Sequence, residues 1–594
     1  MMKTLALAAA LLAGVATIVP AAAPAQPAAA TAQASADARL KALYDAEWAW
    51  RQKEFGEREA EDGSSEAADY LPRVDAANQQ RRVEYWRKTL AELDRIPFEQ
   101  LSSEEKINAA VFRTSLEAFV ANGRFRSWEM SFNADSSFWS YLAPRQGYRT
   151  ADEYRRYIAR MRDIPRYFDE QIVNLRAGLK RGFSVPRATL EGRDASIATF
   201  AAADIAKNPF HTAFAQMPQS IPAAEQAALR AEGEKAIREA VIPAYGKLLA
   251  FMRNEYMPKA RTTLAAHDMP DGKAFYASQI KEYTTLDLTA DQIHDIGLKE
   301  VARIQAEMQQ VMRESGFKGS FPEFLTFLKT DPQFYAKTPD ELMGFSSYAA
   351  KRVDGKLKDY FSFLPRYRFT IIPVPDAIAP FYTAGRGGLD ACQMNTYNLP
   401  SRPLYQITAL TLHECAPGHS FQAALALEQP ARPAFRRETY FSGYGEGWGL
   451  YTEHLGVEMG IYRTPYDHFG RLSYEMWRAA RLVIDTGIHS RGWSRQQAID
   501  YLAGHTALSL HEVTTEVDRY ISWPGQALAY KLGEMTIRRL RAEAEAALGP
   551  KFDVRYFHDA VLETGSVPLP VLEQRIRAFI AAGGVNPHKD APKG

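Results

Sequence analysis

Residues 413–419 read HECAPGH, and this stretch decides how the rest of the chain is interpreted. The familiar zinc-peptidase helix has the pattern H-E-x-x-H, which places two histidines on one helical face. Here the second histidine comes six positions after the first. On an ideal helix that is a rotation of roughly 600°, so an unbroken helix cannot direct His413 and His419 at one metal ion.

Pro417 and Gly418 offer a way around this geometric problem. Proline lacks the N–H needed for helical hydrogen bonding, and glycine adopts backbone angles that other residues avoid. We expect these two residues to bulge out, so that the helix resumes at His419. The stretch then predicts a metal site with an unusual spacing. A buried histidine pair beside a helix break is the alternative.

A third ligand is expected from a helix further along the chain. The sequence GYGEGWGLYTEHLG (443–456) places Glu446 at a helix start, and its glycines allow other backbones to come close. Zinc in hydrolases takes three protein ligands and leaves one position for water. The predicted ligands of one Zn²⁺ ion are therefore His413, His419 and Glu446, with Glu414 as the general base.

Three further residues are candidates for orienting the ligands from behind. Glu453 lies two turns after the predicted glutamate ligand on the same helical face. Asp485 and His489 share one face with Arg481, at i, i+4 and i+8 spacing, and this face is a candidate for orienting the ligands or for binding a substrate carboxylate. The alternatives are a solvated helix acid for Glu453 and a salt-bridged structural stripe for the other three.

Composition and the N-terminus bound the class of protein. The chain has 594 residues, 46% hydrophobic and 24% charged, with a formal net charge of +1. No basic excess indicates binding to nucleic acid or to an anionic membrane surface. Residues 1–25 contain a lysine, an apolar run and small residues, which is typical of a secretory signal peptide. We expect a periplasmic or secreted protein, free of the membrane after cleavage; an uncleaved anchor is the alternative.

Apolar residues recur at helical spacing through most of the chain, so the predicted class is mainly α. We expect a disordered linker at 26–37, a single helical domain at 38–585 and a disordered tail at 586–594. Within the domain, the expected lobes are an N-terminal helical lobe at about 38–280 and a metal-bearing catalytic lobe at about 281–585. The oligomeric state stays open.

Strand signals are few. Residues 366–375 and 392–400 alternate in polarity and flank a glycine-rich segment, which predicts a small antiparallel β ribbon beside the metal helix. Cys392 lies in the second of these strands and Cys415 lies in the metal motif. The two could form one disulfide in an oxidising compartment. Free thiols are the expectation, because the metal already holds the helix of Cys415.

The long motifs resemble those of the bacterial domain-of-unknown-function 885 family. They are HECAPGH, EGWGLYTE (446–453), ARLVIDTGIHSRGWSRQQAIDYL (480–502) and RYISWPGQALAYKLGEMTIRRLR (519–541). That family is similar to glutamate-type zinc peptidases such as carboxypeptidase Taq and thimet oligopeptidase. The resemblance implies a multi-helix, two-lobed peptidase-like fold with a deep cleft.

Such a hydrolase also needs a hydrogen-bond donor for the oxyanion that forms in the transition state. The candidates are Tyr530, Tyr520, His511 and Arg519. The stretch WPGQALAYKLG resembles the tyrosine-bearing segment of carboxypeptidase Taq, which favours Tyr530.

Substrate contacts are expected from four residues. Asn398 and Tyr397, on the strand before the motif, are candidates for binding a peptide backbone by strand addition. Arg386, in the glycine-rich loop, is a candidate for a substrate carboxylate. Arg519 is a fourth substrate-binding candidate.

The leading functional hypothesis is an exported zinc metallopeptidase that hydrolyses short peptides. The alternatives are a zinc hydrolase of a non-peptide amide or ester, and a catalytically silent peptide-binding protein. The sequence leaves endopeptidase, carboxypeptidase and dipeptidase action open.

Overall fold

The structure is a computed structural model, and it describes residues 35–59, 65–134, 136–144, 147–375, 379, 384–429 and 432–588. The predicted signal peptide and most of the predicted linker lie outside these residues. The first helix begins at Ala36, inside the segment expected to be linker. In the expected tail, Asn586 accepts a hydrogen bond from Ser362 (3.4 Å), and residues 589–594 lie outside the description. No helix of the described ranges is apolar over a bilayer-spanning length.

Helices build most of the described chain, as the periodicity predicts. Thr289 caps the helix that follows it with a capping box, the arrangement its sequence indicates. The helices of the first 360 residues are α1 Ala36–Glu54, α2 Ala76–Leu93, α3 Ser103–Phe125, α4 Ala151–Arg181, α5 Asp194–Ala201, α6 Thr212–Ala215, α7 Ala223–Ala236, α8 Ile242–Phe251, α9 Met257–Lys259, α10 Gly272–Thr284, α11 Ala290–Glu314, α12 Phe321–Thr330, α13 Pro339–Asp354 and α14 Leu357–Tyr360.

The remaining helices carry the metal motif and its surroundings. They are α15 Leu404–Glu414, α16 His419–Glu428, α17 Ala434–Glu438, α18 Ser442–Glu458, α19 Pro465–Arg491, α20 Arg495–His505, α21 Leu510–Ser522, α22 Ala529–Leu548, α23 Val554–Leu562 and α24 Leu569–Ala581. The sequence did not predict α21, whose β-branched valines and threonines disfavour a helix. Ser509 caps α21 by accepting a hydrogen bond from the Glu512 N–H at 3.2 Å.

Two small sheets accompany the helices. In the first, β1 (Glu57–Glu59) pairs antiparallel with β2 (Ser65–Ala67). The second has the order β3-β5-β4, with β3 Thr370–Pro373, β4 Gly385–Arg386 and β5 Ala391–Met394. The predicted antiparallel ribbon is wrong, because β3 runs parallel to β5. The glycine-rich connection contributes β4, which takes the antiparallel position on β5, so that β3 joins the opposite edge.

A disulfide joins this sheet to the metal motif. Cys392 on β5 and Cys415 are bonded, with their Cα atoms 5.3 Å apart, and both are fully buried. The expectation of free thiols is therefore wrong. Helix α15 ends at Cys415, and β5 lies beside this point. Cys415 is therefore at the end of the helix, where it can reach Cys392.

Helix α15 is positioned by burial on all sides. Every residue from Tyr405 to His413 is buried, which is typical of a helix enclosed by other helices. Leu412 packs in one apolar cluster with Trp448 of α18, and Leu410 packs in a second cluster with Phe469 of α19. The two sides of α15 thus belong to different parts of the core, which fixes the end of the helix that carries the motif.

Candidate metal centre

The chain breaks its helix between the two histidines of the motif. Helix α15 ends at Glu414 and α16 begins at His419, and the Ala416–Pro417 peptide bond between them is cis. A Cβ atom on Gly418 would collide with the carbonyl oxygen of His413, so only glycine fits this turn. The predicted interruption at Pro417 and Gly418 is present, and it lets the second histidine return toward the first.

The carbonyl groups that the break leaves without helical partners are bonded by neighbouring side chains. Pro417 O accepts a hydrogen bond from the Trp448 indole at 2.8 Å, and Leu412 O accepts one from the Thr452 hydroxyl at 3.0 Å. Glu414 O accepts the hydroxyl of Ser420 at 3.1 Å. Because unpaired buried carbonyls are costly, these bonds make the irregular turn a stable part of the fold.

The side chains of His413, His419 and Glu446 converge. One donor atom from each lies within 4.8 Å of the others. The carboxylate Oε2 of Glu446 is 3.5 Å from His413 Nε2 and 3.4 Å from His419 Nε2. Two atoms bound tetrahedrally to one zinc ion at about 2.0–2.1 Å are about 3.3–3.4 Å apart. The separations and the donor set therefore fit zinc.

His413 is held by a second carboxylate. Its Nδ1 is 2.8 Å from Glu453 Oε1, which leaves Nε2 directed at Glu446. Burial lowers the pKa of His413, but hydrogen bonds to Glu446 and Glu453 outweigh it and raise the pKa to about 9. Burial likewise raises the pKa of Glu446, yet the two histidines hold it well below its ordinary value. A bound divalent cation would displace the protons of the histidines and take over their favourable interaction with Glu446.

Helix α18 can approach His413 only because Gly449 has no side chain. A Cβ atom there would lie 2.7, 2.8 and 3.0 Å from three atoms of the His413 imidazole. The predicted role of the glycines in α18, close backbone approach, applies at this position. Gly449 and Glu453 therefore support the imidazole of His413 from two directions.

Glu414 lies next to the cluster without belonging to it. Its Oε2 accepts a hydrogen bond from the Gly387 N–H at 2.6 Å, and its side chain is partly exposed. Gly387 follows β4, so the sheet that the disulfide ties to the motif also orients this carboxylate. One oxygen is fixed by the backbone, and the group has solvent access, as a proton acceptor requires.

Two tyrosines lie beside Glu446. Tyr440, which the sequence reasoning missed, faces Glu446, Tyr530 and Glu414, and burial followed by these groups raises its pKa well above the ordinary value. The residue is nevertheless 55% exposed. Tyr440 is therefore accessible from solvent while it faces the predicted ligand Glu446. Tyr530 is partly buried, and burial followed by the charge of Glu446 raises its pKa.

The other candidate oxyanion donors have different surroundings. The Tyr520 hydroxyl is buried and accepts hydrogen bonds from Trp477 (2.8 Å) and Arg481 (2.9 Å) while donating to Glu516 (2.8 Å). Its hydrogen-bonding capacity is therefore used inside the fold. His511 is exposed near the start of α21, and no hydrogen bond or ion pair in the described part of the chain joins it to the metal cluster.

Arg519, predicted to bind substrate, pairs with protein groups. It donates hydrogen bonds to Glu516 at 3.0 Å and to Gln526 at 2.5 Å. It also lies close enough to Tyr530 for its charge to lower the pKa of that tyrosine. Arg519 is therefore held by protein groups close to Tyr530.

Asp485 and His489 do not contact the metal cluster. Asp485 accepts hydrogen bonds from Tyr276 (2.6 Å) and from the Gly525 N–H (3.2 Å), and burial raises its pKa to about 7. His489 is bonded through both ring nitrogens to the backbone of Ala266 and Tyr520, and burial lowers its pKa to about 3. Neither residue forms a salt bridge with Arg481, which pairs with Glu516. Of the three supporting candidates, Glu453 contacts a predicted ligand.

The predicted substrate residues near the sheet are exposed. Asn398 adopts a left-handed conformation (φ 53°) and donates to Ser401 at 2.6 Å. Tyr397 is 51% exposed, and its N–H donates to Asn395 at 2.9 Å. Arg386 lies on β4, one residue before Gly387. Only Arg386 is close in the chain to a residue that contacts Glu414.

Fold and site together define a mainly α-helical protein with two histidines and one glutamate whose donor atoms lie within 4.8 Å of one another, a group that could hold a metal ion. The chain belongs to the family described as "Bacterial protein of unknown function (DUF885)", which matches residues 14–576. No curated protein matches the chain.

Two solved structures resemble the chain over nearly their whole length. One is a "putative lipoprotein" from Colwellia psychrerythraea, 26% identical, with a TM-score of 0.85, covering 92% of this chain and 100% of that one. The second, of the same description and of unknown function, is from Shewanella oneidensis. It is 19% identical, with a TM-score of 0.65, covering 91% of this chain and 99% of that one, and it supports the fold alone.

Proposed function

We propose that the protein is an exported zinc-dependent metallopeptidase that hydrolyses short peptides, with Glu414 as the general base. The observation that carries the proposal is the convergence of His413, His419 and Glu446 beside a carboxylate that is not one of the three. A structural zinc site is closed by four protein ligands, whereas three ligands leave a position for water. Hydrolysis additionally requires a proton acceptor, and Glu414 is an adjacent carboxylate that is not a predicted ligand.

Glu414 and Glu453 would have separate roles in the proposed hydrolysis. When bound, zinc would polarise the scissile carbonyl and lower the pKa of a water molecule. Glu414, fixed by the Gly387 N–H, would accept the proton of that water and deliver it to the leaving amine. Glu453 would orient the His413 ring, with Nε2 toward the metal, by accepting a hydrogen bond from Nδ1–H.

The oxyanion needs a donor, and two tyrosines compete for this role. Tyr440 and Tyr530 both lie near Glu446, whose carboxylate is a predicted ligand. A phenol acts in this way by donating a hydrogen bond that strengthens as charge develops in the transition state. Tyr440 has the more accessible ring and also faces the proposed base Glu414.

Short peptides are the proposed substrates because the predicted ligands are poorly accessible. His413 is only 2% exposed, whereas Tyr440 beside Glu446 is 55% exposed. An extended peptide can reach such a site more readily than a folded protein can. The two-lobed, peptidase-like architecture with a deep cleft is part of this proposal.

Export is proposed from three observations. Residues 1–25 have the pattern of a signal peptide. A disulfide in a chain with only two cysteines is typical of an oxidising compartment. The two similar solved structures carry the description "lipoprotein", which is a class of exported protein. We propose a periplasmic or secreted location.

The proposal is tested by incubating the purified mature protein with a peptide library and identifying the fragments by mass spectrometry. We expect cleavage that stops after chelation and returns on addition of Zn²⁺. A protein that binds one zinc ion and cleaves no peptide would refute the peptidase assignment and leave the two alternatives: a hydrolase of an ester or non-peptide amide, and a catalytically silent peptide-binding protein.

A further inference from the structure

A group of arginines beside the metal cluster has buried nitrogens without hydrogen-bond partners. Arg478 and Arg481 are 5% and 3% exposed, and Arg402 is partly buried. Arg478 Nε, Arg481 Nη1 and Arg402 Nε are each enclosed and unpaired in the described structure. Buried polar groups are normally hydrogen-bonded, and a guanidinium has only donors. We call Arg402, Arg478 and Arg481 the arginine cluster.

The arginine cluster adjoins the metal site through two contacts. Arg478 Nη2 is 3.8 Å from Glu453 Oε1, the atom that also contacts His413. The guanidinium of Arg481 lies 4.3 Å from the ring centre of Tyr530, the tyrosine that the charge of Glu446 affects. Arg478 and Arg481 therefore lie next to Glu453 and Tyr530, the residues close to the predicted metal ligands.

Aromatic rings hold two of these arginines in place. The guanidinium of Arg478 lies 4.7 Å from the ring centre of Tyr474 and 4.3 Å from that of Trp477. The guanidinium of Arg481 lies 4.5 Å from the ring centre of Trp477. Such cation–π contacts fix a guanidinium without using its N–H groups. The free donors are therefore preorganised for another acceptor.

The nearby carboxylates do not balance the positive charge. Glu516 accepts hydrogen bonds from both Arg481 (3.0 Å) and Arg519 (3.0 Å), so one carboxylate serves two guanidinium groups. Glu512 is close enough to Arg402, Arg478 and Arg481 for their charges to lower its pKa, but burial outweighs them and raises it to about 7.

Glu512 forms no ion pair shorter than 4.0 Å within the described residues. The three arginine charges therefore act on one buried carboxylate from beyond ion-pair distance. Their unpaired N–H donors and positive charge suit an anionic group of a ligand.

We propose that the arginine cluster binds the C-terminal carboxylate of the peptide substrate, so that the protein acts as a carboxypeptidase or dipeptidase. This inference rests on the proposed peptidase function and names its substrate class. An extended peptide advances roughly 3.3–3.6 Å per residue, so a carboxylate held beside the metal site would bring a bond close to the C-terminus toward the metal.

The test compares two probes that differ only at the C-terminus: N-acetyl-trialanine and its C-terminal amide. Binding is measured by calorimetry with the zinc-loaded Glu414→Gln variant, and hydrolysis with the wild type. We expect the amide to bind about 10- to 100-fold more weakly, as for the loss of a hydrogen-bonded charged contact. The KM for hydrolysis should rise by a similar factor.

Arg402→Met tests the cluster itself, because Arg402 makes no ion pair that the change would break in the described structure. The preference for the acid should fall to within about threefold, while zinc content stays the same. Arg495→Met is the matched control: Arg495 pairs with Asp518 at 2.7 Å on the same group of helices, and its loss should leave the preference intact.

The outcomes separate the two proposals. Equal binding of acid and amide by the wild-type site would overturn the carboxylate subsite, even if both peptides are hydrolysed. Preferential binding of the acid without any hydrolysis would refute the peptidase and keep the subsite. An equal loss of affinity for both probes in Arg402→Met would show a structural role and also overturn the proposal. The wild-type comparison decides the question if the variant does not fold.

Discussion

Gly449→Ala gives the sharpest test of the metal centre, because it adds one methyl group behind a predicted ligand. The new carbon would lie 2.7–3.0 Å from three atoms of the His413 ring. Non-bonded carbon atoms pack at about 3.5–4.0 Å, so the ring must withdraw by roughly 0.5 Å or more. Metal–ligand distances tolerate changes of only about 0.2 Å.

The expected effect is a loss of zinc affinity without a loss of folding. Mutations that disturb the support of a ligand weaken metal binding by about 10- to 100-fold, and we expect at least this factor for Gly449→Ala. Alanine favours a helix over glycine by about 0.5–1 kcal/mol, which offsets part of the steric cost in the metal-free protein. Competition with a chelating indicator measures the affinity, and thermal unfolding with and without zinc measures the stability.

Gly246→Ala is the matched control. Gly246 also lies within a helix, α8, and a Cβ atom there would meet no atom within 4 Å. This variant should gain the stability that helix propensity provides and bind zinc like the wild type. If Gly449→Ala binds zinc as tightly as Gly246→Ala, the reasoning that places a metal-bound His413 against Gly449 is refuted.

Three further predictions concern catalysis and the disulfide. Glu414→Gln should keep near-full zinc content while peptide hydrolysis falls by about 10²–10⁴-fold, and retained turnover would remove this residue from the mechanism. Of Tyr440→Phe and Tyr530→Phe, the variant that lacks the oxyanion donor should lose about 10²–10³ in kcat with little change in KM or zinc content; a few-fold effect in both would exclude both tyrosines. Cys392→Ser should lower the free energy of unfolding by about 3 kcal/mol under non-reducing conditions, and alkylation of unreduced wild-type protein would contradict the disulfide.

The sequence was most informative where one residue type has one physical consequence. The pair Pro417-Gly418 cannot continue a helix, so the break and the return of the chain at His419 could be predicted from it. The period of 3.6 residues predicted most helices and the face shared by Glu446 and Glu453.

Features that depend on long-range packing could not be read in the same way. The direction of β3 depends on β4, which is only two residues long and has no strand pattern of its own. The pairing of the two cysteines depends on where α15 ends relative to β5. Tyr440 carries no periodic signal, and it approaches Glu446 only because the chain bends before α18. The unpaired donors of Arg402 and Arg478 are visible only when their neighbours are known.

The helix break has a mechanical consequence. In a continuous H-E-x-x-H helix both histidines move as one rigid body, whereas His413 and His419 belong to two different helices. A bound ion would therefore cross-link three elements, α15, α16 and α18, and part of its binding free energy would hold α16 in place. Chelation should accelerate amide hydrogen exchange in α16, while the fully enclosed α15 stays protected. Zinc would then stabilise the position of α16 in addition to taking part in hydrolysis.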